Sequence, residues 1–301
     1  MNDDIARADA PFRFTIGSLN VYILNDGVFR LDGGGMFGRV PKVLWEKVVT
    51  PDHLNRAPLS MNSMLFEENG KLILMETGYG DKLSAKEYEA FGLTRPQGFL
   101  LDQLAKIGVK PEDISIVINT HLHGDHAGWN TRFKDGDPTA GVVPTFPNAI
   151  YITQKLEWEH AAHPTELTAP GYPSNNFHVL KETGMLHLIE GETRVSPTIL
   201  LTPTPGHTIG HQSVWVESGM AAALFTGDAA VMGVHLERLN WVSGVDNFPI
   251  QSVETKRALV EEALKRQASV VVTHHPFPGL GILHREEGQR RAVFQEITKQ
   301  S

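Results

Sequence analysis

The chain has 301 residues, and its 27 lysine and arginine residues against 35 aspartate and glutamate residues give a formal net charge of -8. Hydrophobic residues make up 41% of the sequence and charged residues 21%, as in an ordinary globular protein. The acidic balance argues against nucleic acid as the main partner. Because the sequence contains no cysteine, disulfide bonds and thiolate metal ligands are excluded.

The N-terminal segment, Met1 to Ala10, is polar and acidic and lacks the apolar stretch of a secretory signal peptide. No window approaches 18 consecutive apolar residues, so we expect no membrane span and no membrane partner. These features favour a cytoplasmic location. A periplasmic location stays open, because the gene could encode a leader that this chain lacks.

The first half of the chain predicts strands followed by helices. Phe12 to Leu31 alternates apolar and polar residues and contains two turn-forming segments, which is typical of strands joined by a tight turn. Gly33 to Gly35 predicts a mobile or closely packed loop. The apolar run from Leu72 to Met75 indicates a central strand, and the spacing from Leu100 to Ile107 predicts a helix that ends at Gly108.

Three histidines and one aspartate lie within six residues directly after the apolar run from Ile116 to Ile118, which predicts a buried strand. Imidazole and carboxylate are the usual ligands of zinc and similar divalent metals. If the backbone stays extended through His123, that side chain and His121 face the same way. Asp125 then opens a helix, which brings its carboxylate and His126 to a second point near the first. The segment therefore predicts ligands for two neighbouring metals.

The second half repeats this organisation, and its candidate ligands also follow apolar strands. His207 comes after the strand predicted from Thr198 to Leu201, Asp228 after Ala223 to Phe225, and His274 after a buried run of valines. Side chains at the ends of neighbouring strands are a common way to build a site on a rigid scaffold. A helix is predicted between the last two of these strands, at residues 253–266.

The segment His121-Leu122-His123-Gly124-Asp125-His126 resembles the signature of the metallo-β-lactamase superfamily, and Pro205-Gly206-His207-Thr208 matches that family's Pro-Gly-His-Thr. The resemblance is strongest to acyl-homoserine-lactone lactonases and methyl-parathion-hydrolase-like enzymes. It implies an α/β fold of the αββα sandwich type, with two mixed β-sheets flanked by helices. It also implies a single domain over residues 1–301, with pseudo-repeated halves of about 12–170 and 171–301.

The resemblance also implies the ligand roles. The first metal would be bound by His121, His123 and His207, the second by Asp125, His126 and His274, and Asp228 would bridge the two. Such a site takes two divalent ions, with zinc as the expected metal, although histidine and aspartate also suit Mn, Co and Fe.

Three positions leave a choice or a doubt. His211 lies near His207, but only His207 fits the Pro-Gly-His-Thr pattern, so His211 is expected to support the site from outside the ligand set. His274 fits the register set by Pro276-Phe277-Pro278 better than His275 does. Glu76 stands where the family usually has an aspartate that orients a metal-site histidine. Its extra methylene puts that geometry in doubt.

The ligand set separates this chain from other branches of the superfamily. It lacks the cysteine of class B1 and B2 β-lactamases, has a bridging aspartate that class B3 enzymes lack, and retains a histidine that flavodiiron proteins replace with glutamate. We therefore expect hydrolysis of a neutral, fairly apolar lactone or ester by a hydroxide held between two metals, with Asp125 passing a proton to the leaving group. A phosphotriesterase is the alternative. A glyoxalase II-like thioesterase and a non-hydrolytic metal or redox protein are weaker candidates.

The expected partner is a small-molecule substrate, and a homodimer is one assembly that the sequence allows. Apolar residues near the motifs are candidates for substrate binding, with ordinary core packing as the alternative role of each. His235 joins them because it follows the bridging aspartate at a distance where relatives place substrate contacts. The candidates are Trp129, Met232, His235, Trp241, Phe277 and Leu280.

Overall fold

The structure is a computed structural model that describes residues 8–299, so most of the acidic segment at residues 1–10 lies outside it. The strands are β1 (Phe12–Ile16), β2 (Leu19–Asp32), β3 (Arg56–Glu68), β4 (Lys71–Met75), β5 (Ile114–Ile118), β6 (Thr131–Phe133), β7 (Val142–Pro144), β8 (Ile150–Gln154), β9 (Leu186–Ile189), β10 (Thr193–Arg194), β11 (Ile199–Pro203), β12 (Gln212–Ser218), β13 (Ala221–Phe225), β14 (Ser269–Val271), β15 (Leu280–His284) and β16 (Val293–Glu296).

The α-helices are α1 (Gly33–Phe37), α2 (Lys42–Trp45), α3 (Ala85–Ala90), α4 (Leu100–Lys106), α5 (Gly124–Ala127), α6 (Lys155–Ala162), α7 (His178–Glu182), α8 (Gly233–Glu237) and α9 (Pro249–Arg266). Short 3₁₀ turns lie at Pro111–Asp113, Gly128–Asn130, Lys134–Gly136, Ala169–Gly171, Ser174–Asn176 and Gly227–Ala229. None of the helices within residues 8–299 is long and apolar enough to cross a membrane.

Two seven-stranded sheets organise the molecule. The first has the order β1-β2-β3-β4-β5-β8-β9, and the second has the order β10-β11-β12-β13-β14-β15-β16. Both are mixed, because β4, β5, β8 and β9 run parallel to one another and β4 runs antiparallel to β3 in the first sheet, while in the second β13 is parallel to β14 and antiparallel to β12. With helices packed outside them, this is the αββα sandwich expected from the resemblance, and that prediction is confirmed.

The main hydrophobic core lies between the two sheets. Strand β1 alternates buried and exposed residues, which gives it one apolar face, and its inward residues join apolar side chains from both sheets. Examples are Phe66 and Met75 in the first sheet and Val214 and Phe225 in the second. Separate clusters seal the outer faces, with α9 on the second sheet and α4 on the first. The site at the sheet edge therefore stands on a closely packed base.

Three local predictions are wrong in detail. Asn25–Gly27 is a bulge inside β2 and not a turn between strands, since the pairing with β3 shifts register there. Gly33 to Gly35 form the start of helix α1, because Asp32 caps the N–H of Gly34 at 2.7 Å. Helix α5 begins at Gly124 with His123 at the N-cap position, so Asp125 lies within the first turn and does not open the helix. The end of strand β5 at Ile118 agrees with the predicted buried run.

The two sheets are joined by hydrogen bonds at one edge. After β14, the Asn62 amide of β3 donates to the carbonyls of Val272 (3.2 Å) and His275 (2.8 Å). Gln212, at the start of β12, donates from its backbone N–H to Thr120 O (3.0 Å) and from its side chain to the carbonyl of Asn119 (3.0 Å). Segments from each sheet are therefore held against the other where the candidate ligands lie. Apart from the small sheet of β6 and β7, the strands up to Ile189 belong to the first sheet and those from Thr193 onward belong to the second.

Truncation of Phe66 tests the core between the sheets. This side chain is fully buried among residues of both sheets, so Phe66→Ala should reduce the free energy of unfolding by about 3–5 kcal/mol. The fully exposed Met220 supplies the control, because Met220→Ala should change it by less than about 0.5 kcal/mol. Urea titrations followed by tryptophan fluorescence measure both values. A similar small loss in the two variants would contradict the assigned packing.

Candidate metal centre

The loop after β5, which carries candidate histidine ligands, is held in place by hydrogen bonds and by close backbone packing. The backbone carbonyl of His126 accepts hydrogen bonds from Thr77 N (2.8 Å) and from the Asn119 amide (3.1 Å). Gly128 packs directly on the backbone of Tyr79, leaving no space for a side chain at position 128. The segment that carries four candidate ligands is therefore anchored to the end of β4 as well as to its own strand.

Two groups of side chains converge there. In the first, His123 Nδ1 lies 3.0 Å from both His121 Nε2 and His207 Nε2. In the second, His274 Nε2 lies 3.1 Å from His126 Nε2 and 3.4 Å from Asp125 Oδ2. The ligand atoms within each group lie within 4.8 Å of one another, which suits a single metal ion. The seven residues expected to bind metal include these six.

The seventh, Asp228, lies between the groups. Its Oδ2 is 3.3 Å from His207 Nε2 and 3.4 Å from His126 Nε2, while its Oδ1 is 3.1 Å from His274 Nε2. Burial raises the pKa of this carboxyl, but His274, His126 and His207 together hold it well below its usual value. The position between the groups is the one expected of a bridging carboxylate.

The outward nitrogens of three imidazoles meet fixed acceptors. His126 Nδ1 lies 3.1 Å from Glu76 Oε2, His274 Nδ1 lies 2.7 Å from the carbonyl oxygen of Ser60, and His207 Nδ1 lies 3.0 Å from Asp246 Oδ1. Carboxylate and carbonyl oxygens only accept, so each Nδ1 carries the hydrogen, and the neutral ring has its lone pair on Nε2. Those lone pairs face inward.

This arrangement fits a bound cation. Two neutral imidazoles would bring the lone pairs of His126 Nε2 and His274 Nε2 to 3.1 Å from each other, a repulsive contact that a shared positive charge relieves. Burial lowers the pKa of His126, but Asp228, Asp125 and Glu76 raise it well above the usual value. The pKa values of His121 and His123 are instead lowered well below normal, first by burial.

The side chain of Glu76 contacts the histidine cluster despite its extra methylene. Its backbone adopts the left-handed conformation with φ of 64°. One carboxylate oxygen reaches His126 Nδ1, while the other accepts the backbone N–H of Thr120 at 2.7 Å. Glu76 thus contacts His126, a candidate metal ligand, and it also fixes the backbone of Thr120, the residue before His121.

The two alternative histidines lie outside the cluster. His211 Nε2 accepts the backbone N–H of Asp228 at 2.9 Å, and its Nδ1 lies 2.8 Å from Thr204 Oγ1. Burial lowers the pKa of His211 to about 3, so the ring is neutral, as an acceptor must be. His275 points elsewhere, with Nε2 3.0 Å from Glu296 Oε1. The geometry thus brings His207 and His274 into the cluster, as the sequence pattern favours.

The six residues predicted to bind substrate are all buried. Trp129 donates its indole N–H to Asp26 Oδ1 at 2.8 Å, and Phe277 and Leu280 lie in the core between the sheets. Met232 and Trp241 belong to an aromatic cluster beside the site. His235 stacks on a phenylalanine ring of that cluster, and burial lowers its pKa to about 4. Their contact with substrate stays a prediction.

Sequence reasoning missed the residues that meet the imidazoles over long distances. Asp246 follows no recognisable motif and lies 39 positions from His207, and Ser60 contributes only a backbone carbonyl, which no side-chain pattern reveals. Glu157, on helix α6, also contacts the ligand-bearing loops without touching the cluster itself. Its only sequence signal is a glutamate on a helix, which ordinarily indicates an exposed surface.

Known proteins resemble the chain over most of its length. An N-acyl homoserine lactonase from Bacillus cereus is 29% identical over 261 residues, covering 82% of this chain and 90% of the relative. The crystal structure of a probable metal-dependent hydrolase from Staphylococcus aureus superposes with a TM-score of 0.82 at 27% identity, covering 94% of this chain and 99% of the other. AidC, a dizinc quorum-quenching lactonase, gives a TM-score of 0.75 at 22% identity, covering 97% and 98%.

The family model of the metallo-beta-lactamase superfamily matches residues 56–275, which span both sheets and all seven candidate ligands. The curated relatives are N-acyl homoserine lactonases, which are metal-dependent hydrolases of the same superfamily. The match covers well over half of the chain, and the chain belongs to the metallo-beta-lactamase superfamily.

Proposed function

We propose that the chain is a dinuclear metal-dependent hydrolase that opens a neutral, fairly apolar lactone or cleaves a related ester. The observation that carries this proposal is the buried carboxylate of Asp228, which faces histidines of both groups at 3.1–3.4 Å. Two cations a few Å apart need an anion between them, and this carboxylate is placed to serve as that anion. The curated lactonase relatives support the reaction class.

The residues present fit two divalent ions. His121, His123 and His207 would hold one, Asp125, His126 and His274 the other, with Asp228 shared. When bound, the metals supply Lewis acidity and lower the pKa of water enough to provide a nucleophile near neutral pH. Imidazole and carboxylate are usual ligands of zinc, which is the proposed metal, with Mn, Co and Fe as alternatives.

Asp125 is the proposed proton carrier. Among the seven candidate ligands, only Asp125 and His123 are partly exposed, so these two mark the side from which a substrate reaches the cluster. The Asp125 carboxylate lies 3.4 Å from His274 Nε2 and 3.6 Å from His126 Nε2. From there it can hold a proton beside the reacting carbonyl and pass it to the departing alkoxide oxygen.

The surroundings favour an uncharged substrate. The ring of Phe29 packs edge-on to His274 at 5.4 Å, and Tyr79 packs against Phe29 at 5.2 Å. Lysines buried in this region are already engaged, since Lys82 donates to the carbonyls of Gly128 and Thr131, and another lysine, on α9, donates to the carbonyl of Trp241. An anionic thioester or phosphodiester would therefore find no free counter-charge on these lysines beyond the metals.

A phosphotriester is the second candidate substrate. It is also neutral, and the Lewis acidity that bound metals would supply serves hydrolysis at phosphorus as well as at a carbonyl carbon, so the metals alone would not select between the two substrates. The lactonase relatives support a lactone as the first candidate substrate. N-acyl homoserine lactones are the natural first substrates for assay.

Removal of the Asp228 carboxylate should reduce the number of metal ions bound per chain. Asp228→Ala leaves the two cations without their anion, so the purified variant should hold at least one metal ion fewer per chain than the wild type. Elemental analysis after dialysis measures the content. Asp137→Ala, which changes an exposed carboxylate outside the two ligand groups, serves as the control and should keep two ions. Retention of two ions by Asp228→Ala would remove the basis of the proposal.

The adjacent histidines should behave very differently. His274→Ala removes a ligand of the second metal and should lower kcat/KM by more than about 100-fold, beyond what loss of an outer partner causes. His275→Ala removes contacts with Glu296, with the ring of Phe294 and with the backbone N–H of Gly233, all outside the two ligand groups, and should leave most of the activity. Steady-state kinetics with a lactone substrate compare the two. The opposite order would show that the register of this segment has been misassigned.

Substrate charge should govern selectivity. We expect a higher kcat/KM for an N-acyl homoserine lactone or an aryl ester than for a glutathione thioester or a phosphodiester, because the latter pair are anionic. Activity should disappear on chelation and return on addition of divalent metal. A panel of these substrates, with an aryl phosphotriester included, measures the ranking. Preference for the anionic members would overturn the proposed substrate class, and preference for the phosphotriester would select the second candidate.

A further inference from the structure

Glu157 is a fully buried carboxylate on helix α6 that belongs to neither ligand group. It accepts three hydrogen bonds. The backbone N–H of Leu122 reaches Oε1 at 3.0 Å, the Tyr172 hydroxyl reaches the same oxygen at 3.0 Å, and the Thr208 hydroxyl reaches Oε2 at 2.6 Å. Burial raises the pKa of this carboxyl, and the three donors oppose that rise. The three hydrogen bonds satisfy both oxygens of this buried carboxylate and fix its position in the fold.

Two of the three donors come from the segments that carry the first group of histidines, and the third, Tyr172, packs against one of these histidines. Leu122 stands between His121 and His123, and Thr208 directly follows His207. The ring of Tyr172 lies 4.6 Å from the ring of His123. One carboxylate therefore contacts the loop after β5, the loop between β11 and β12, and the tyrosine whose ring packs against His123.

Close backbone contacts reinforce this arrangement. Gly210 packs against the backbone of Glu157 so tightly that a side chain at position 210 would overlap it. A Cβ at Gly171 would lie 2.8 Å from His123 Cδ2, so the loop carrying Tyr172 is pressed against that imidazole. These contacts leave the loops little freedom to shift independently of α6.

We propose that Glu157 is the positioning residue of the first metal group, where it sets the position of the His121–His123 loop relative to His207. The inference rests on the proposed two-metal function. The second group is held by other partners, since Glu76 contacts His126 and the Ser60 carbonyl contacts His274. Loss of Glu157 should therefore weaken one metal site and spare the other.

The test measures metal affinity at each site. Co²⁺ is titrated into metal-depleted protein in competition with a chromophoric chelator, which yields two dissociation constants. Glu157→Ala should weaken one site by about 10–100-fold, the usual cost of removing a partner that orients metal ligands, and leave the other unchanged. Glu159→Ala, on the exposed side of the same helix, is the matched control and should change neither constant.

Glu157→Gln provides the conservative rescue. The amide oxygen can accept from Leu122 and Tyr172, and the amide NH₂ can donate to Thr208 Oγ1, so all three contacts survive. This variant should recover most of the lost affinity, whereas equal weakening in Glu157→Gln and Glu157→Ala would overturn the role assigned to these contacts.

The visible absorption spectrum identifies the weakened site. His123→Ala removes a first-group ligand, and His274→Ala removes a second-group ligand, so singly loaded Co²⁺ forms of these variants give reference spectra for the remaining site. Glu157→Ala with one Co²⁺ should match His123→Ala. A match to His274→Ala, equal weakening of both sites, or no weakening would each overturn the proposal.

Thr208→Val tests the proposal independently in case Glu157→Ala does not fold. It removes one donor with little change of volume, and it should weaken the same site by a smaller factor. An unchanged first site in this variant, together with a misfolded Glu157→Ala, would also overturn the proposal. If the wild type binds no metal, the proposed function itself fails. Two intact wild-type sites with no selective effect of Glu157 refute only the positioning role.

Discussion

The structure depends on one electrostatic constraint, the burial of the Asp228 carboxylate among imidazoles that come from both halves of the chain. A buried ionised carboxylate is costly unless cations or donors surround it. His207 and His274 reach it from the second half of the chain, His126 reaches it from the first, and a neutral His211 accepts its backbone N–H. Cationic charge in the centre, from metal ions or from protons, is what makes this convergence stable.

The acceptors that meet the outward nitrogens of the imidazoles fix the orientation of these rings around Asp228. Each imidazole that meets a fixed acceptor on its outward side has one tautomer and one ring orientation. For His274, that acceptor is a carbonyl of the opposite sheet, because Ser60 belongs to β3 while His274 follows β14. The same edge carries hydrogen bonds from Asn62 and Gln212 across the sheets. The contacts that join the two sheets at this edge therefore also set the positions of the candidate ligands.

The sequence could predict the parts of the site that are local. His121, His123, Asp125 and His126 share one short segment, and apolar strands before His207, Asp228 and His274 indicate one sheet edge. Contacts between distant residues leave no such pattern, and this is why Asp246 and Glu157 were missed. The helix at Gly33 was missed for a different reason. Three glycines disfavour a helix, yet the cap from Asp32 and a glycine-only fit against Trp45 outweigh that preference.

The two ligand groups differ in how the protein supports them. His126 and His274 contact partners near or within the first sheet, whose strands pack on the main core. His121, His123 and His207 stand on loops, and a buried carboxylate on α6 joins those loops to one another. One ligand of each group, His123 and Asp125, is partly exposed. The second group therefore depends mainly on contacts with the first sheet, whereas the first group depends on the packing of its loops against α6.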